Sequence, residues 1–293
     1  MSATVVSPPL LVSTSMYPLG GDPSKVTKLR GICAKADGSL CYMTDDLNDV
    51  TRSRILTFNP ATGASAILFP DGGAIPLRPT GICLSAAETT LYVCTETNKV
   101  YSIALPGGAV ALVADLNGAP ITGQLYQMIR DPDDAGYLLV LSPFDARGTD
   151  IVRVKISDGS YEILPTQYWA TSMDAVPGML LSQRGKGGFH SNCPIVRYLR
   201  AFNRRTEVVA GYYGGAGEGA GPAFTTMTGS HSGIATDDGR TNVYFSTGGG
   251  LKVVNGGNIA IIDAAYNDRG LLLIRSTNRL LTIKDREIAV FGP

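Results

Sequence analysis

The segment from Val208 to Ser246 constrains the fold more than any other part of the chain. A short apolar run ending in Ala210-Gly211 leads into a glycine-rich stretch, then Gly233-Ile234-Ala235, an Asp-Asp-Gly turn and the run Val243-Tyr244-Phe245. Short apolar runs separated by glycine and aspartate clusters are typical of β-strands joined by tight turns. The segment therefore predicts a strand, a long connector and then a two-stranded antiparallel unit.

The same unit recurs along the chain. Gly31-Ile32-Cys33 and Gly81-Ile82-Cys83 begin two further copies, about 50 residues apart, each followed by a turn and a second apolar run. More divergent copies begin near Gln127, Thr171 and Ala264. After each second strand, alternating polar and apolar residues predict a third strand with one buried face. Fourth strands are predicted at 66–68, 110–113, 161–164, 208–210, 259–262 and 288–291.

This order of connector, Gly-Ile strand, turn and β-rich strand resembles the NHL repeat of β-propellers. The Thr-Asn-base turns at Thr97-Asn98-Lys99 and Thr277-Asn278-Arg279 resemble the NHL hairpin. The resemblance implies an all-β fold with six blades of four-stranded antiparallel sheet, in one domain spanning residues 1–293. The blades are predicted to begin near residues 30, 80, 126, 171, 232 and 264. Propellers of this kind bind unrelated partners and some are enzymes, so the fold alone does not define a function.

Both ends of the chain carry a segment that could close the ring of blades. Leu10–Ser13 is a candidate closing strand, because a propeller usually pairs one terminus with strands from the other. The final copy also has its own predicted fourth strand at 288–291. The two segments compete for one position, and the sequence leaves the choice open.

Composition supports the all-β class and bears on the compartment. The chain has 35 glycines, 17 prolines and only 17% charged residues, which suits many short strands. Acidic and basic residues balance at 25 each, so no overall charge points to nucleic acid or membrane. No stretch has the length and apolar character of a transmembrane helix, and the amino terminus lacks a signal-peptide pattern. The five cysteines show no C-x-x-C spacing, which favours an intracellular, cytoplasmic protein without a disulfide framework.

Polar residues on the first strands are the candidates for a binding site. The first strands of a propeller line its channel, so polar residues near their beginning are expected to face the channel mouth. These residues are Arg30, Thr80, Gln127, Asp174 and His231.

Catalytic chemistry has little support. His190 and Cys193 have a two-ligand spacing, but they lie in a glycine-rich segment without further ligands. His231 stands between Ser230 and Ser232, whose side chains should point to the opposite face of a strand. With two histidines in the chain, a zinc site of three imidazoles is not expected. We therefore predict no catalytic residue, no bound metal and no cofactor.

The most prominent charge feature is a basic segment with interleaved aromatic residues. Between Arg184 and Arg205 there is no acidic residue, and Phe189, Tyr198 and Phe202 lie among the bases. Arginine and aromatic side chains on one surface are typical of RNA contacts, and some NHL propellers bind RNA through a basic face. A solvated edge, or a salt-bridged seam with the acidic preceding blade, is the structural alternative. The basic residues are Arg184, Lys186, Arg197, Arg200, Arg204 and Arg205.

Three functions follow from these features. The first is a non-catalytic NHL-like platform that binds a protein across one end of the channel. The second is binding of RNA or another polyanion by the basic segment. The third is a metal-dependent enzyme resembling the propeller lactonases and lyases, with a divalent cation held at Asp174 and by channel carbonyl groups.

Overall fold

The computed structural model describes most of the 293-residue chain, and within the described residues the regular structure is almost entirely β-strand. The exception is a single 3-10 turn at Arg275–Thr277. None of the described residues form a helix with the length and apolar character needed to cross a bilayer. The described residues are 12–18, 28–46, 53–69, 78–121, 124–142, 150–164, 169–185, 195–199, 205–211, 221–223, 231–237, 239, 241–247, 250–264, 270–284 and 287–292.

The strands are short, and most have four to eight residues. In chain order they are β1 (Val12–Pro18), β2 (Lys28–Ala34), β3 (Cys41–Asp46), β4 (Ser53–Phe58), β5 (Ser65–Phe69), β6 (Pro79–Leu84), β7 (Thr90–Thr95), β8 (Lys99–Ala104), β9 (Val110–Asp115), β10 (Gln127–Arg130), β11 (Tyr137–Ser142), β12 (Asp150–Lys155), β13 (Tyr161–Leu164), β14 (Trp169–Val176), β15 (Met179–Gly185), β16 (Ile195–Leu199), β17 (Arg205–Ala210), β18 (Gly221–Pro222), β19 (His231–Thr236), β20 (Asn242–Thr247), β21 (Gly250–Asn255), β22 (Asn258–Asp263), β23 (Leu271–Ile274), β24 (Arg279–Lys284) and β25 (Glu287–Gly292).

The strands pair into sheets that we name A to F. Four sheets consist of consecutive strands: A (β2–β5), B (β6–β9), C (β10–β13) and D (β14–β17). Sheet E contains β19–β22 and a fifth strand, β18, which pairs antiparallel with β22. Sheet F contains β23, β24 and β25, with β1 added beside β25. Five of the sheets have the four strands predicted for a blade. Sheet E has five strands, so the structure does not bear out the prediction of six four-stranded blades.

Sheet F corrects one assignment made from the sequence and answers the question of the chain ends. The sequence predicted that the last copy begins near Ala264, which makes the following apolar run at 271–274 its second strand. In the structure, β23 is the edge strand of sheet F that contacts β19, so it takes the first position. Strand β25 then becomes the third strand, and the amino-terminal strand β1 supplies the fourth. The misassignment arose because the apolar run of β23 looks like the second strand of the other copies.

The chain divides into two compact units. One comprises residues 17–170 and 285–288 and includes sheets A to C. The other comprises residues 1–16, 171–284 and 289–293 and includes sheets D and E and most of sheet F.

Within each unit, apolar layers fill the spaces between consecutive sheets. Ile55, Ile82 and Val93 belong to the layer between sheets A and B, and Cys83, Leu138 and Val152 to the layer between sheets B and C. The other unit has equivalent layers between sheets D and E and between sheets E and F. Alternate residues of one strand enter different layers, because successive side chains point to opposite faces of a sheet.

The glycine of each Gly-Ile motif lies where the first strands of adjacent sheets approach closely. A Cβ atom on Gly81 would lie 2.7 Å from the backbone nitrogen of Met128 on β10. A Cβ atom on Gly31 would lie 3.0 Å from the Cα atom of Gly81, and one on Gly233 would lie 2.7 Å from the Cβ atom of Leu271. These motifs therefore use glycine because the neighbouring first strand leaves no room for a methyl group.

Candidate functional site

The predicted binding residues of sheets A to C lie on neighbouring first strands. Strand β6 packs against both β2 and β10, so Arg30, Thr80 and Gln127 share this region. Thr80 is only 1% exposed, and its hydroxyl donates a hydrogen bond to the carbonyl oxygen of Cys94 at 3.2 Å. Gln127 is half-buried and pairs with Leu141, while the side chain of Arg30 lies outside the described part of the structure. Thr80 thus serves packing within its own sheet.

Asp174 is the centre of a polar contact that joins sheets D and E to the 3-10 turn after β23 of sheet F. One of its carboxylate oxygens, Oδ2, accepts a hydrogen bond from the backbone nitrogen of Thr236 at 2.8 Å. The same oxygen accepts a charge-assisted bond from Nη2 of Arg275 at 2.7 Å. Arg275 also donates from Nε to the carbonyl oxygen of Thr236 at 3.0 Å. The guanidinium therefore holds the end of β19 and the Asp174 carboxylate together.

Burial dominates the protonation chemistry of Asp174. Its side chain is 17% exposed, and desolvation raises the pKa of the carboxyl above its usual value. The positive charge of Arg275 and hydrogen bonds from the backbone of Thr236 and Ala175 lower the pKa and offset part of that effect. The carboxylate is thus costly to ionise and depends on Arg275 as its partner.

This arrangement does not suit a cation site at Asp174. A divalent ion would have to displace the guanidinium, and hard cations such as calcium require several oxygen ligands at once. Among the residues that the structure describes, no group of three or more His, Cys, Asp or Glu side chains is arranged to hold a metal ion. Asp174 accepts a hydrogen bond from Thr236, which lies three residues after the motif glycine Gly233. Thr80, in contrast, lies one residue before the motif glycine Gly81. The two candidates are therefore not at equivalent positions of their strands.

The remaining candidates fall largely outside the described side chains. His231 lies on β19, and Arg184 and Arg205 lie on β15 and β17, but the structure describes the backbones alone at these positions. Lys186, Arg200, Arg204, His190 and Cys193 lie outside the described residues.

Arg197 is the one member of the basic segment whose side chain is described. It lies on β16 opposite Glu207 on β17, and its Nη2 atom is 2.7 Å from the Glu207 carboxylate. This cross-strand ion pair neutralises the positive charge of Arg197, which a phosphate group would need as its partner. Glu207 was missed from the sequence because it lies two residues beyond the end of the basic segment. The register of β16 with β17 places Glu207 opposite Arg197, and knowledge of that register would have identified the pair.

Comparison with known proteins bears on the fold. No protein-family profile matches the chain, and no curated protein matches it in sequence. A structural genomics protein of unknown function from Bacteroides thetaiotaomicron superposes with a TM-score of 0.65 over 94% of this chain and 73% of that one, at 12% identity. With six antiparallel sheets already described, this match decides the architecture. The fold is a β-propeller.

A second solved propeller is described as the extracellular domain of a hybrid two-component system from the same bacterium. It superposes with a TM-score of 0.54 and 13% identity over 94% of this chain. The chain spans 39% of the length of that protein. At these identities the likeness extends to the propeller fold and not to function.

Proposed function

We propose that this propeller is a non-catalytic binding platform for a protein partner, built as six blades of NHL-like type. The observation that carries the proposal is the distribution of apolar surface. Large exposed apolar side chains occur on the fourth strands of five sheets. These residues are Ile67 on β5, Leu112 on β9, Tyr161 on β13, Val208 on β17 and Ile261 on β22.

The position of these side chains suits a protein partner. A single exposed apolar residue is ordinary, but its recurrence on fourth strands gives several sheets an apolar group beside the sheet edge. Edge strands offer free backbone hydrogen-bonding groups to an extended segment. Sheet E already illustrates this pairing, because β18 adds to the outer side of β22 through Gly221 and Pro222. An apolar side chain beside free backbone donors and acceptors suits an extended polypeptide segment.

Two of the candidate residues on first strands already make hydrogen bonds within the protein, which favours binding at the outer strands over the channel mouth. Thr80 and Asp174 are satisfied by contacts inside the protein. Arg30, Gln127 and His231 remain candidates for a channel site, which the variant Gln127→Ala tests separately.

The cysteines favour a reducing compartment for this function. Cys33, Cys41, Cys83 and Cys94 are free and buried in sheets A and B. Burial raises the pKa of Cys41 to about 12 and that of Cys94 to about 11, so both thiols are protonated at neutral pH. Free thiols are typical of intracellular proteins, and we place the platform there.

Substitution of outer-strand residues should abolish capture of the partner. We expect Ile67→Lys or Tyr161→Lys to reduce retention of a specific protein at least tenfold, because a buried lysine charge opposes an apolar contact. The measurement is quantitative mass spectrometry of proteins retained by immobilised wild type and variants, followed by binding of the purified partner. Both residues are exposed, so the melting temperature should stay near that of wild type.

Two matched variants make this experiment specific. Ala66→Lys places the same charge at an exposed position next to Ile67, and it should bind more strongly than Ile67→Lys. Gln127→Ala tests the channel mouth and should retain the partner. If every retained protein binds Ile67→Lys and Tyr161→Lys as well as wild type, the outer-strand platform is wrong. Loss with Gln127→Ala alone would return the site to the channel.

A further inference from the structure

A polar groove of about 480 Å³ lies between sheets B and C. Its floor is formed by Thr90, Tyr92 and Ser102 on β7 and β8, and one wall includes Leu112 on β9. The opposite wall is the turn between β12 and β13, from Ile156 to Asp158. This volume lies within the range of small-molecule sites in proteins.

Four residues that carry hydroxyl groups line this groove, and those hydroxyls have few partners within the described residues. Those of Thr90, Tyr92 and Ser157 make no hydrogen bond to any residue that the structure describes. The hydroxyl of Ser102 has a long contact of 3.5 Å to the carbonyl oxygen of Ala111. Tyr92 is notable because its side chain is only 8% exposed. The phenol oxygen is not among the enclosed polar atoms of the described residues, so it opens onto the groove and can bond to water or to a ligand.

The neighbouring space between sheets A and B shows that the fold does not impose this polarity. The registers make Tyr42 and Thr57 the counterparts of Tyr92 and Ser102. The counterparts of Thr90 and Ile156 there are Leu40 and Leu105, and both pack against the apolar layer. Pro106 stands where the groove has Ser157. The groove therefore has hydroxyl groups, those of Thr90 and Ser157, at two positions where the space between sheets A and B has apolar residues.

The charge of the groove is balanced. Asp158 is the acidic group in its lining, and its carboxylate is 2.8 Å from Nζ of Lys155 in an ion pair. Hydroxyls both donate and accept hydrogen bonds, so they match a ligand whose own groups do both. The apolar side chains of Leu112 and Ile156 offer a surface for C–H groups of the same ligand.

We propose that this groove binds a small neutral polyhydroxylated molecule, a sugar or polyol. Sugars combine hydroxyl groups with apolar C–H faces, and both kinds of surface are present here. The site lies beyond the proposed protein-binding function and does not depend on it, although Leu112 belongs both to the groove and to the exposed outer-strand residues.

Saturation-transfer NMR with D-glucose, D-galactose, D-mannose and glycerol at millimolar concentration tests the proposal. We expect transfer to at least one probe from wild type. Tyr92→Phe removes one hydroxyl with little change of shape and should weaken the affinity for the bound probe about fivefold. Thr90→Leu introduces the residue type of the counterpart position and should abolish transfer by filling the groove.

Tyr42→Phe is the matched control, since Tyr42 is the counterpart of Tyr92 in sheet A. It should bind as wild type does, with melting temperatures confirming that all variants fold. Transfer to none of the four probes from wild type would overturn the proposal. So would transfer that persists in folded Thr90→Leu protein, or that is lost equally in Tyr42→Phe. Because no partner protein enters the experiment, its failure would leave the platform proposal standing.

Discussion

Gly81→Ala is expected to destabilise the protein by about 3 kcal/mol, and to lower its melting temperature by about 8 °C. The new methyl carbon would lie 2.7 Å from the backbone nitrogen of Met128 and 2.9 Å from the carbonyl carbon of Gln127. Both are backbone atoms of β10, so relief requires β6 and β10 to separate. Separation would loosen the apolar layer between sheets B and C. Thermal and urea unfolding of the purified variant measure the effect.

Gly118→Ala is the control for this prediction. A Cβ atom on Gly118 would meet no atom within 4 Å, so its stability should stay within about 0.5 kcal/mol of wild type. Gly233→Ala should resemble Gly81→Ala, because its methyl group would meet Leu271. Wild-type stability of Gly81→Ala would show that the first strands are not packed as described.

Asp174→Ala is expected to cost about 2 to 4 kcal/mol of unfolding free energy. The substitution leaves the Arg275 guanidinium and the Thr236 amide without their shared acceptor. The lower part of this range applies because the Arg275 side chain is 31% exposed and water can partly replace the carboxylate. Urea unfolding in a double-mutant cycle with Arg275→Met measures the coupling. A coupling energy of zero would contradict the central role of this pair.

The difference in unfolding free energy between wild type and Asp174→Asn should change with pH in a defined direction. Burial raises the pKa of Asp174 in the folded protein, so the folded state binds the proton more tightly than the unfolded state. The stability from this group is therefore present below the usual carboxyl pKa and is lost as pH rises through the folded value. The unfolding free energy of wild type relative to Asp174→Asn should decrease as pH rises from about 4 toward neutrality. A relative increase over that range would contradict the raised pKa.

The sequence patterns predicted strands and their order well, because those patterns reflect local physics. Gly31, Gly81 and Gly233 stood out as motif glycines, and each proves to have a backbone or side chain against its missing Cβ. Alternating segments such as Arg54–Phe58 fell within third strands, since period-2 burial is a property of any two-faced sheet.

The site could not be predicted to the same degree, because its contacts join distant parts of the chain. Arg275 is 101 residues from Asp174, and no local pattern links them. The copy containing Asp174 has Thr171-Ser172-Met173 in place of the Gly-Ile motif, so its register could not be assigned from the motif. Strand β18 was also missed, because Gly221-Pro222 looks like part of the glycine-rich connector.

The first strands are packed inside the protein, and we propose that the fourth strands present the open, binding surface. Hydrogen-exchange mass spectrometry of the wild-type protein tests this division most directly, because exchange reports local opening. All residues of β6 are buried, whereas most of β9 is exposed or half-buried. We predict that β6 and β10 amides exchange only with global unfolding, while β5, β9 and β13 exchange much faster. Exchange of β6 and β10 as fast as that of the fourth strands would contradict the account.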